Sequence, residues 1–540
     1  MLSRPPMAAL HTPARWLMDR ARSDPDAIAL EGHRERISYR ELWRWAVAVA
    51  GHLLELGLSP GDRVATVTEN DAAQVVLFFA CALSRMALSP LNRRLAVAEL
   101  AAQLDVVTPS LVMASTAHAG AAADALRASV VAPVICSPGD LLAIAQAGAA
   151  GGRSLRRVET VAAGVRDEDP LLVVFTSGTT GRSKGAVLSH ANCFWTNLSL
   201  DGAVPLGAGD VVLQVLPQHH VGGWNVQPLQ AWWKGATVVL EPTFEPDRVL
   251  DLIGRRRVTT MMGVPTTYLM LAEQPAFASA DLSSLRRAVV GGAAVPSDVV
   301  EAWVRRGVAV FQGYGLTEAS PNVLCLAARD ALAHPGSVGR PYGHVDVSLR
   351  DPAGDTVDTE DVGELWVSGP NVFCGYWRDE EATAATMSGH WLKTGDLARR
   401  DADGVYRICG RVKDLFVSGG ENVYPAEVEA MLRGHPKISD AAVVGVADRR
   451  WGEVGLAFVQ LRRGADLTGE EVIAYSRERV AGFKVPRRVV LMDELPLLAS
   501  GKVDKRRLAA AFDRKAGGSR LAVTSAKDAK KETEREEKGS

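Results

Sequence analysis

Short apolar runs alternate with amphipathic segments and Gly, Pro or Asn turns from about residue 36 to about residue 345, and this alternation constrains the fold most strongly. Residues 36–58 predict a helix, because Ser38 and Glu41 have the spacing of a capping box and apolar side chains then recur at helical intervals. Arg63–Thr68 has the pattern of a strand, and residues 71–84 have that of a second helix. Strands that alternate with helices predict a layered α/β architecture with mostly parallel sheets.

The pattern changes at about residue 345. Short runs with a period of two, such as GELWVSG, continue to residue 410 and predict a small antiparallel β-subdomain. Residues 411–510 then contain a new set of helix and strand patterns, long enough for a small domain. We therefore expect a large domain over 1–410, a small one over 411–512, and a disordered charged tail over 513–540, where apolar periodicity is lacking.

Charge and cysteine content exclude several classes of function. The 61 basic and 63 acidic side chains give a formal net charge of −2, which argues against a generally basic nucleic-acid binder. No apolar run approaches the ~20 residues of a membrane span, and the N-terminus lacks the apolar stretch of a secretory signal. The six cysteines are scattered without a C-x-x-C pair, as expected for reduced thiols. We expect a cytoplasmic protein without a nucleic-acid partner.

A loop rich in glycine and hydroxyl side chains follows the apolar strand Leu171–Phe175. Its sequence over residues 176–185, TSGTTGRSKG, combines five hydroxyl side chains, three glycines and Lys184. Glycine lets the backbone approach an anion, hydroxyls and amides donate hydrogen bonds, and the lysine supplies charge. The loop therefore predicts a phosphate-binding site.

The loop sequence partly matches two other motifs, the Walker phosphate-binding motif and the nucleophile elbow, but it has the features of neither. Ser183 stands where the Walker motif requires its second glycine. Residues 181–185 also match G-x-S-x-G, but a nucleophile-elbow serine follows its strand directly, whereas Ser183 lies eight residues beyond Phe175. A flexible polar surface loop is the remaining alternative, and the preceding strand and Lys184 favour phosphate binding over it.

Further motifs follow this loop in a fixed order. They are GGAAVP over 291–296, QGYGLTE over 312–318, WLKTGD over 391–396, GRVKD over 410–414, GENVYPAEVE over 420–429 and SGK over 500–502. Together with the loop they resemble the ordered motifs of the adenylate-forming superfamily, which contains acyl-CoA synthetases, peptide-synthetase adenylation domains and luciferase-like enzymes. The resemblance covers roughly residues 30–510. It implies an N-terminal domain of two α/β subdomains plus a small β-subdomain, and a small mobile α+β C-terminal domain.

The resemblance also implies roles for individual residues. In such enzymes a carboxylate attacks the α-phosphate of ATP, so the protein must supply positive charge and oriented donors. The implied catalytic residues are Lys502, His220, Thr317 and Glu318, and the implied Mg²⁺ ligands are Glu318 and Thr180. The implied nucleotide and coenzyme A contacts are Thr176, Ser177, Gly178, Thr179, Thr180, Gly181, Lys184, Gly291, Gly292, Ala293, Gln312, Gly313, Tyr314, Gly315, Asp396, Arg411, Ser418, Gly419 and Gly420. Asp396 and Arg411 are expected on the ribose, and Lys502 between the substrate carboxylate and the α-phosphate.

A second half-reaction with a thiol is implied by further positions. Lys413 stands at the hinge, His220 between the acyl pocket and the thiol tunnel, and Ser418 where pantetheine would pass. Five positions resemble the coenzyme A surface of some aryl-CoA ligases: Arg94, Trp451, Phe483, Lys484 and Arg487. The equal alternative is that these side chains belong to ordinary solvated surface. Val485 stands where some of those ligases carry a basic residue.

The substrate is the least determined part of the prediction. The segments that line the family's acyl pocket contain Trp195 and Trp224, with Trp232 and Trp233 nearby. Bulky indoles would shorten the pocket and favour an aromatic or a short- to medium-chain acid; the alternative is that these tryptophans are plain core.

The expected function is ATP- and Mg²⁺-dependent conversion of a carboxylic acid to an acyl-adenylate, followed by transfer to coenzyme A. The alternative is an amide bond synthetase that transfers the acyl group to an amine. A nucleotide-binding protein without catalysis is disfavoured because Glu318 and Lys502 are both present. The expected partners are thus small molecules, and the expected assembly is a monomer or a homodimer.

Overall fold

The computed structural model describes residues 11–33, 35–148, 152–176, 183–293, 295–358, 360–418, 421–448, 451–498, 502–516 and 523–525. The chain divides into two compact units. The first unit comprises Met1–Ser348, Trp366–Thr394 and Asp403–Tyr406, and the second comprises Leu349–Leu365, Gly395–Ala402 and Arg407–Ser540. The domain limits predicted from the sequence, 1–410 and 411–512, are a different division and stay a prediction.

Helices and strands alternate along the described chain. The strands are β1 (Ile28–Glu31), β2 (Arg36–Ser38), β3 (Arg63–Val67), β4 (Ala87–Pro90), β5 (Leu111–Ala114), β6 (Val134–Cys136), β7 (Pro170–Thr176), β8 (Lys184–Ser189), β9 (Val211–Gln214), β10 (Thr237–Leu240), β11 (Thr260–Gly263), β12 (Arg287–Gly291), β13 (Ala309–Gly315), β14 (Asn322–Leu326), β15 (Arg340–Pro341), β16 (Asp346–Arg350), β17 (Gly363–Ser368), β18 (Gly375–Tyr376), β19 (Met387–Ser388), β20 (Trp391–Arg400), β21 (Tyr406–Arg411), β22 (Phe416–Ser418), β23 (Glu421–Val423), β24 (Ile438–Asp448), β25 (Gly452–Leu461), β26 (Arg488–Met492) and β27 (Val523–Ser525).

The helices lie between these strands. They are α1 (Pro13–Ser23), α2 (Tyr39–Glu55), α3 (Ala72–Ser84), α4 (Val97–Val107), α5 (Ala119–Ala128), α6 (Pro138–Ala147), α7 (Gly152–Ala163), α8 (His190–Ala203), α9 (Gly222–Asn225), α10 (Pro228–Lys234), α11 (Pro246–Arg255), α12 (Pro265–Ala272), α13 (Ser297–Arg305), α14 (Glu380–Thr386), α15 (Pro425–Arg433), α16 (Gly469–Arg477) and α17 (Lys505–Ala516). Short 3₁₀ helices span Pro275–Ala278, Thr317–Ala319, Ala328–Asp330 and Val412–Asp414.

The capping box predicted at the start of α2 is confirmed. The Ser38 side chain accepts a hydrogen bond from the backbone N–H of Glu41, and the Ser38 N–H donates to Glu41 Oε2 at 2.8 Å. This reciprocal pair satisfies two of the N–H groups that a helix leaves without partners at its first turn. The helix then packs against α3, whose side chains are buried all round, as expected for a helix that is apolar on every face.

One sheet of the first unit has the strand order β18-β8-β7-β4-β3-β5-β6. Strands β7, β4, β3, β5 and β6 pair in parallel, whereas β7, β8 and β18 pair antiparallel. A second sheet has the order β15-β14-β13-β12-β11-β9-β10-β1-β2 and is parallel from β13 to β1. The prediction of layered α/β structure with mostly parallel sheets is therefore confirmed.

A third sheet has the order β16-β17-β20-β19, with β21 paired to β20. Buried and partly exposed residues alternate along β17 and along most of β20, as the period-two pattern of the sequence predicts.

The remaining sheet lies in the second unit, with the order β23-β22-β25-β26-β27 and β24 paired to β25. Helices α15 and α16 lie within the segment 411–510, where the sequence predicts helix and strand patterns, and their apolar faces share a core with Phe416 and Val459. Because α17 continues to Ala516 and β27 pairs with β26, regular structure extends into the segment predicted as a tail. The rest of 513–540 lies outside the described residues.

Among the described helices, none is long and apolar enough to cross a bilayer. Each of the six cysteines lies in the described part of the chain and is free, as the scattered spacing predicts.

Candidate active site

The glycine-rich loop joins two antiparallel strands. Strands β7 and β8 pair from Pro170 opposite Ser189 to Thr176 opposite Lys184. Directly opposite residues in a ladder project to the same face of the sheet, so Thr176 and Lys184 stand side by side where the loop begins and ends. The predicted loop residues between them, Ser177, Gly178, Thr179, Thr180 and Gly181, lie outside the described residues.

Glu318 is brought to this loop from the other sheet of the first unit. Strand β13 ends at Gly315, and the short 3₁₀ turn Thr317–Ala319 follows it. The backbone N–H of Phe373 donates to the Glu318 carbonyl at 2.9 Å and fixes the main chain there. Thr176 Oγ1 then lies 3.5 Å from Glu318 Oε1. The structure thus places two predicted site residues, 142 positions apart in sequence, beside each other.

Tyr376 completes this group, and sequence reasoning missed it. Its hydroxyl donates to Glu318 Oε1 at 2.8 Å, and Lys184 Nζ lies 5.1 Å from the centre of its ring. Burial, reinforced by the Glu318 carboxylate, raises the pKa of the Tyr376 phenol, so it is a neutral donor at physiological pH. The pairing of β18 with β8 brings this tyrosine to the site.

The predicted nucleotide contacts Gly291 and Gly313 lie opposite each other where β12 pairs with β13. A Cβ added to Gly291 would lie 2.8 Å from the Gly313 carbonyl oxygen, and one added to Gly315 would overlap the Pro321 carbonyl. Glycine is therefore needed for this close backbone approach.

A cavity of about 150 Å³ lies beside this register, and Gln312 and Val295 line it among other residues. Of the remaining predicted residues here, Gly292 and Ala293 are exposed and Tyr314 is partly buried.

His220 lies beside His219 in the loop that precedes α9, with ring centroids 4.3 Å apart. Burial lowers the pKa of His219 to about 3, and the charges of His220, Arg93 and Arg94 lower it further in the same direction. The His219 imidazole is therefore neutral at physiological pH.

The second unit carries a separate charged cluster. Arg411 Nε donates to Asp396 Oδ1 at 2.7 Å, and the Asp396 side chain is only 7% exposed. Desolvation lowers the pKa values of Lys413 and Lys502, the Arg411 cation lowers both further, and the Asp396 charge opposes these effects. The structure thus brings the predicted residues Asp396 and Arg411 into contact, and Lys502 lies within range of both charges.

Lys502 is held beside Leu498 by backbone contacts, and the residue as a whole is exposed. The Leu498 N–H donates to the Lys502 carbonyl at 2.7 Å, and Leu497 forms a bridge with Val503. Ser418 is buried at the end of β22, whereas Gly419 and Gly420 lie outside the described residues.

Some residues expected at the coenzyme A surface have partners within the second unit. Lys484 Nζ lies 2.8 Å from both carboxylate oxygens of Glu427, and the Arg487 guanidinium lies 5.3 Å from the Trp451 ring centre. Val485 belongs to the core of this unit. The contacts of Lys484 and Arg487 are of a kind that both a coenzyme A surface and an ordinary solvated surface can contain. They therefore do not distinguish these two alternatives.

Two of the tryptophans considered for the acyl pocket are core residues. The Trp224 ring is fully buried, stacks on Phe78 at 4.7 Å and donates its Nε1–H to the Gln218 carbonyl at 2.7 Å. Trp232 is likewise buried and donates to the Ala29 carbonyl at 3.0 Å. Since their polar groups are satisfied within the fold, these two indoles favour the core alternative.

Within the described part of the chain, no cluster of three or more His, Cys, Asp or Glu side chains is arranged to hold a metal ion. Glu318 offers one carboxylate with adjacent hydroxyls. That donor set fits Mg²⁺, which is commonly held by one or two carboxylates together with substrate phosphates.

Comparison with known proteins agrees with this arrangement. The family described as "AMP-binding enzyme" matches residues 17–377, and "AMP-binding enzyme C-terminal domain" matches residues 427–502. Feruloyl-CoA synthase from Amycolatopsis sp is 40% identical over 490 residues, which cover 91% of this chain and 97% of that protein.

Two solved structures are also similar to this chain. ATP-bound MatB from Rhodopseudomonas palustris has a TM-score of 0.85 and 32% identity, covering 93% of this chain and 99% of its own. Amide bond synthetase McbA from Marinactinospora thermotolerans has a TM-score of 0.83 and 32% identity, with the same coverage of 93% and 99%. From the motifs, the geometry and these matches together, the chain belongs to the AMP-binding enzyme family.

Proposed function

We propose that this protein activates a carboxylic acid with ATP, releasing pyrophosphate, and transfers the acyl group to coenzyme A. The observation that carries the proposal is the group formed by Glu318, Thr176, Tyr376 and Lys184 at the ends of the glycine-rich loop. The similarity to feruloyl-CoA synthase supports coenzyme A as the acceptor.

The first half-reaction joins two anions, which explains the choice of residues. A carboxylate oxygen forms a bond to the α-phosphorus, and the bond from that phosphorus to the bridging oxygen breaks as pyrophosphate leaves. Negative charge concentrates in the transition state, so cations and fixed donors lower the barrier. Thr176, the loop residues 177–181 and Lys184 are proposed to hold the β- and γ-phosphates, with Thr317 at the α-phosphate.

Glu318 is proposed to hold Mg²⁺, with Thr180 as a second ligand. When bound, the ion would neutralise charge on the phosphate oxygens. The chain itself contacts the Glu318 carboxylate through the Tyr376 hydroxyl, and the Phe373 N–H fixes the Glu318 main chain.

The second unit is proposed to supply the remaining contacts. The Asp396 carboxylate can accept hydrogen bonds from both ribose hydroxyls, and Arg411 orients it. Lys502 is proposed to act on the substrate carboxylate and the α-phosphate. The register of Gly291 with Gly313 is proposed for the adenine.

In the second half-reaction the thiol of coenzyme A attacks the acyl carbon, and AMP leaves. His220 is proposed to lie between the acyl group and the thiol, and Ser418 along the pantetheine passage. The proposed substrate is an aromatic or a short- to medium-chain acid. The assembly proposed is a monomer or a homodimer, which light scattering after gel filtration would measure.

Transfer to an amine is the second candidate function, because amide bond synthetase McbA is similar over 93% of this chain. A panel of aromatic, short-chain and long-chain acids with ATP and Mg²⁺, read for pyrophosphate release, tests the first step. Coenzyme A and a set of amines are then offered with the best acid. A thioester product supports the proposal, an amide without thioester supports the second candidate, and the absence of acid-dependent pyrophosphate release contradicts both.

A further inference from the structure

We propose that Tyr376 is a positioning residue that orients the Glu318 carboxylate for a divalent cation and the Lys184 ammonium for the nucleotide phosphates. This inference rests on the proposed function, because it assigns Glu318 to metal and Lys184 to phosphate. It adds a residue that none of the sequence motifs above contains.

The sheet places these side chains on one face. Thr176 pairs with Lys184, and Tyr376 pairs with Ala186 on the neighbouring strand. Side chains two residues apart along a strand share a face, so Lys184 and Ala186 project to the same side, together with their partners Thr176 and Tyr376. The phenol therefore lies diagonally next to Lys184, as expected from the ring-centre distance of 5.1 Å.

The hydroxyl of Tyr376 makes the stronger of the two hydroxyl contacts with Glu318. It lies 2.8 Å from Oε1, whereas the Thr176 hydroxyl lies 3.5 Å from the same atom. The shorter distance is typical of an O–H···O hydrogen bond, and the longer one is at the limit of a hydrogen bond. Both contacts are made to the same carboxylate oxygen, Oε1, so the two hydroxyls restrain one end of the Glu318 carboxylate.

Both ends of this hydrogen bond are fixed by their neighbours. The Phe373 N–H donates to the Glu318 carbonyl at 2.9 Å, and the Phe373 ring meets the Tyr376 ring edge-on at 5.0 Å. The Tyr376 N–H donates to Thr383 Oγ1 at 2.9 Å. The Tyr376 ring is thus restrained by a hydrogen bond of its backbone and by the edge-on contact with Phe373. A carboxylate that such a ring already restrains loses little conformational entropy when a metal ion binds.

The ring also faces Lys184. A lysine ammonium within about 6 Å of a ring centre is attracted to the aromatic face. This contact restrains the long Lys184 side chain, which would otherwise sample many rotamers. Lys184 stands at the end of the glycine-rich loop, so the contact fixes its ammonium group next to that loop. Tyr376 thus has two separable effects: its hydroxyl acts on Glu318 and its ring acts on Lys184.

Tyr376→Phe separates these effects because it removes the hydroxyl and keeps the ring. The matched control is Tyr268→Phe, which removes a buried hydroxyl of the same unit that donates to the Met261 carbonyl at 2.7 Å. ATP binding is measured by isothermal titration calorimetry with and without Mg²⁺. For Tyr376→Phe we expect an apparent Mg²⁺ affinity about tenfold lower, as for loss of a hydrogen bond to a charged group, and unchanged affinity for metal-free ATP.

Two further variants make the assignment specific. Tyr376→Leu removes the ring as well, so metal-free ATP should now bind about two- to fivefold more weakly, the size of a cation–π contact at a partly exposed site. In a Glu318→Gln background, Tyr376→Phe should produce no additional loss of Mg²⁺ affinity, since the two side chains act as one unit. Thermal unfolding of each variant shows whether it is folded.

The inference is overturned if folded Tyr376→Phe binds Mg²⁺ and ATP like the wild type or like Tyr268→Phe, or if its Mg²⁺ defect persists unchanged in Glu318→Gln. Failure of the proposed function looks different, because wild-type protein would then show no Mg²⁺-dependent ATP binding and no acid-dependent pyrophosphate release.

Discussion

Asp396→Asn tests the charged cluster of the second unit most directly. The substitution keeps the shape of the side chain and removes its negative charge. In the wild type, the Asp396 carboxylate accepts a hydrogen bond from Arg411 Nε at 2.7 Å. Lys413 and Lys502 lie within electrostatic reach of the same carboxylate. Removal of the anion therefore leaves several cations close together without the carboxylate that offsets them.

The magnitude follows from the burial of the pair. A hydrogen bond between charged groups contributes ~1.5–3 kcal/mol when well shielded. Asp396 is 7% exposed but Arg411 is 42% exposed, so solvent reduces this contribution to about 1–2 kcal/mol. The double-mutant cycle of Asp396→Asn with Arg411→Gln, measured by urea unfolding, should give a coupling free energy of that size.

An exposed ion pair of the same unit serves as the control. Arg479 and Glu478 lie 2.9 Å apart with side chains 43% and 73% exposed. Their cycle should give a coupling below about 0.5 kcal/mol. If the Asp396–Arg411 coupling is equally small, the burial argument is wrong.

The same variant should change the pH dependence of adenylation. Desolvation and then the Arg411 charge lower the pKa of Lys502, and Asp396 raises it, so without Asp396 this pKa falls further. Lys502 must be protonated for its proposed role, hence activity is lost as pH rises through its pKa. The alkaline limb of acid-dependent ATP–pyrophosphate exchange should therefore move to lower pH in Asp396→Asn. An unmoved limb at saturating ATP would refute the reasoning.

Three other predictions concern single residues. Lys502→Ala should lower the adenylation rate about 10²–10³-fold, equivalent to ~3–4 kcal/mol, while the melting temperature stays near that of the wild type; normal pyrophosphate release would refute its role. Gly445→Ala would place a Cβ 2.5 Å from the Phe416 Cβ, so urea unfolding should show a loss of about 1–3 kcal/mol, and a neutral result would contradict the packing described. The pKa of His219 falls from 6.5 to about 3 on folding, so the unfolded state takes up a proton first and stability should fall as pH drops below 6.5. His219→Gln should weaken this acid sensitivity in thermal melts, and an unchanged slope would argue against a half-buried imidazole that stays neutral in the fold.

Much of the local structure of this chain was predictable because it depends on neighbouring residues. The capping box of Ser38 and Glu41 and the helical spacing after it define α2 within one segment. The period-two alternation of β17 likewise lies within a few residues. Helix caps and hydrophobic periodicity act over one or two turns, so the sequence alone contains the information.

The candidate site was predictable only in part. The motif order pointed to Glu318 and Thr176, and the structure brings these two together. The antiparallel pairing of β7 with β8 around the loop was not foreseen, and neither was Tyr376, which a strand of two residues delivers to Glu318. Pairing between distant strands depends on which surfaces are buried together, and no local pattern records that choice.

The sequence by itself determined the α/β layering, the order of the motifs and the residue types that phosphate and metal chemistry require. Only the tertiary structure decided that Trp224 belongs to the core, that Arg411 pairs with Asp396, and that a phenol holds the Glu318 carboxylate. The physical reason is that side-chain contacts between remote segments depend on register and burial, which are properties of the folded chain and not of any one segment.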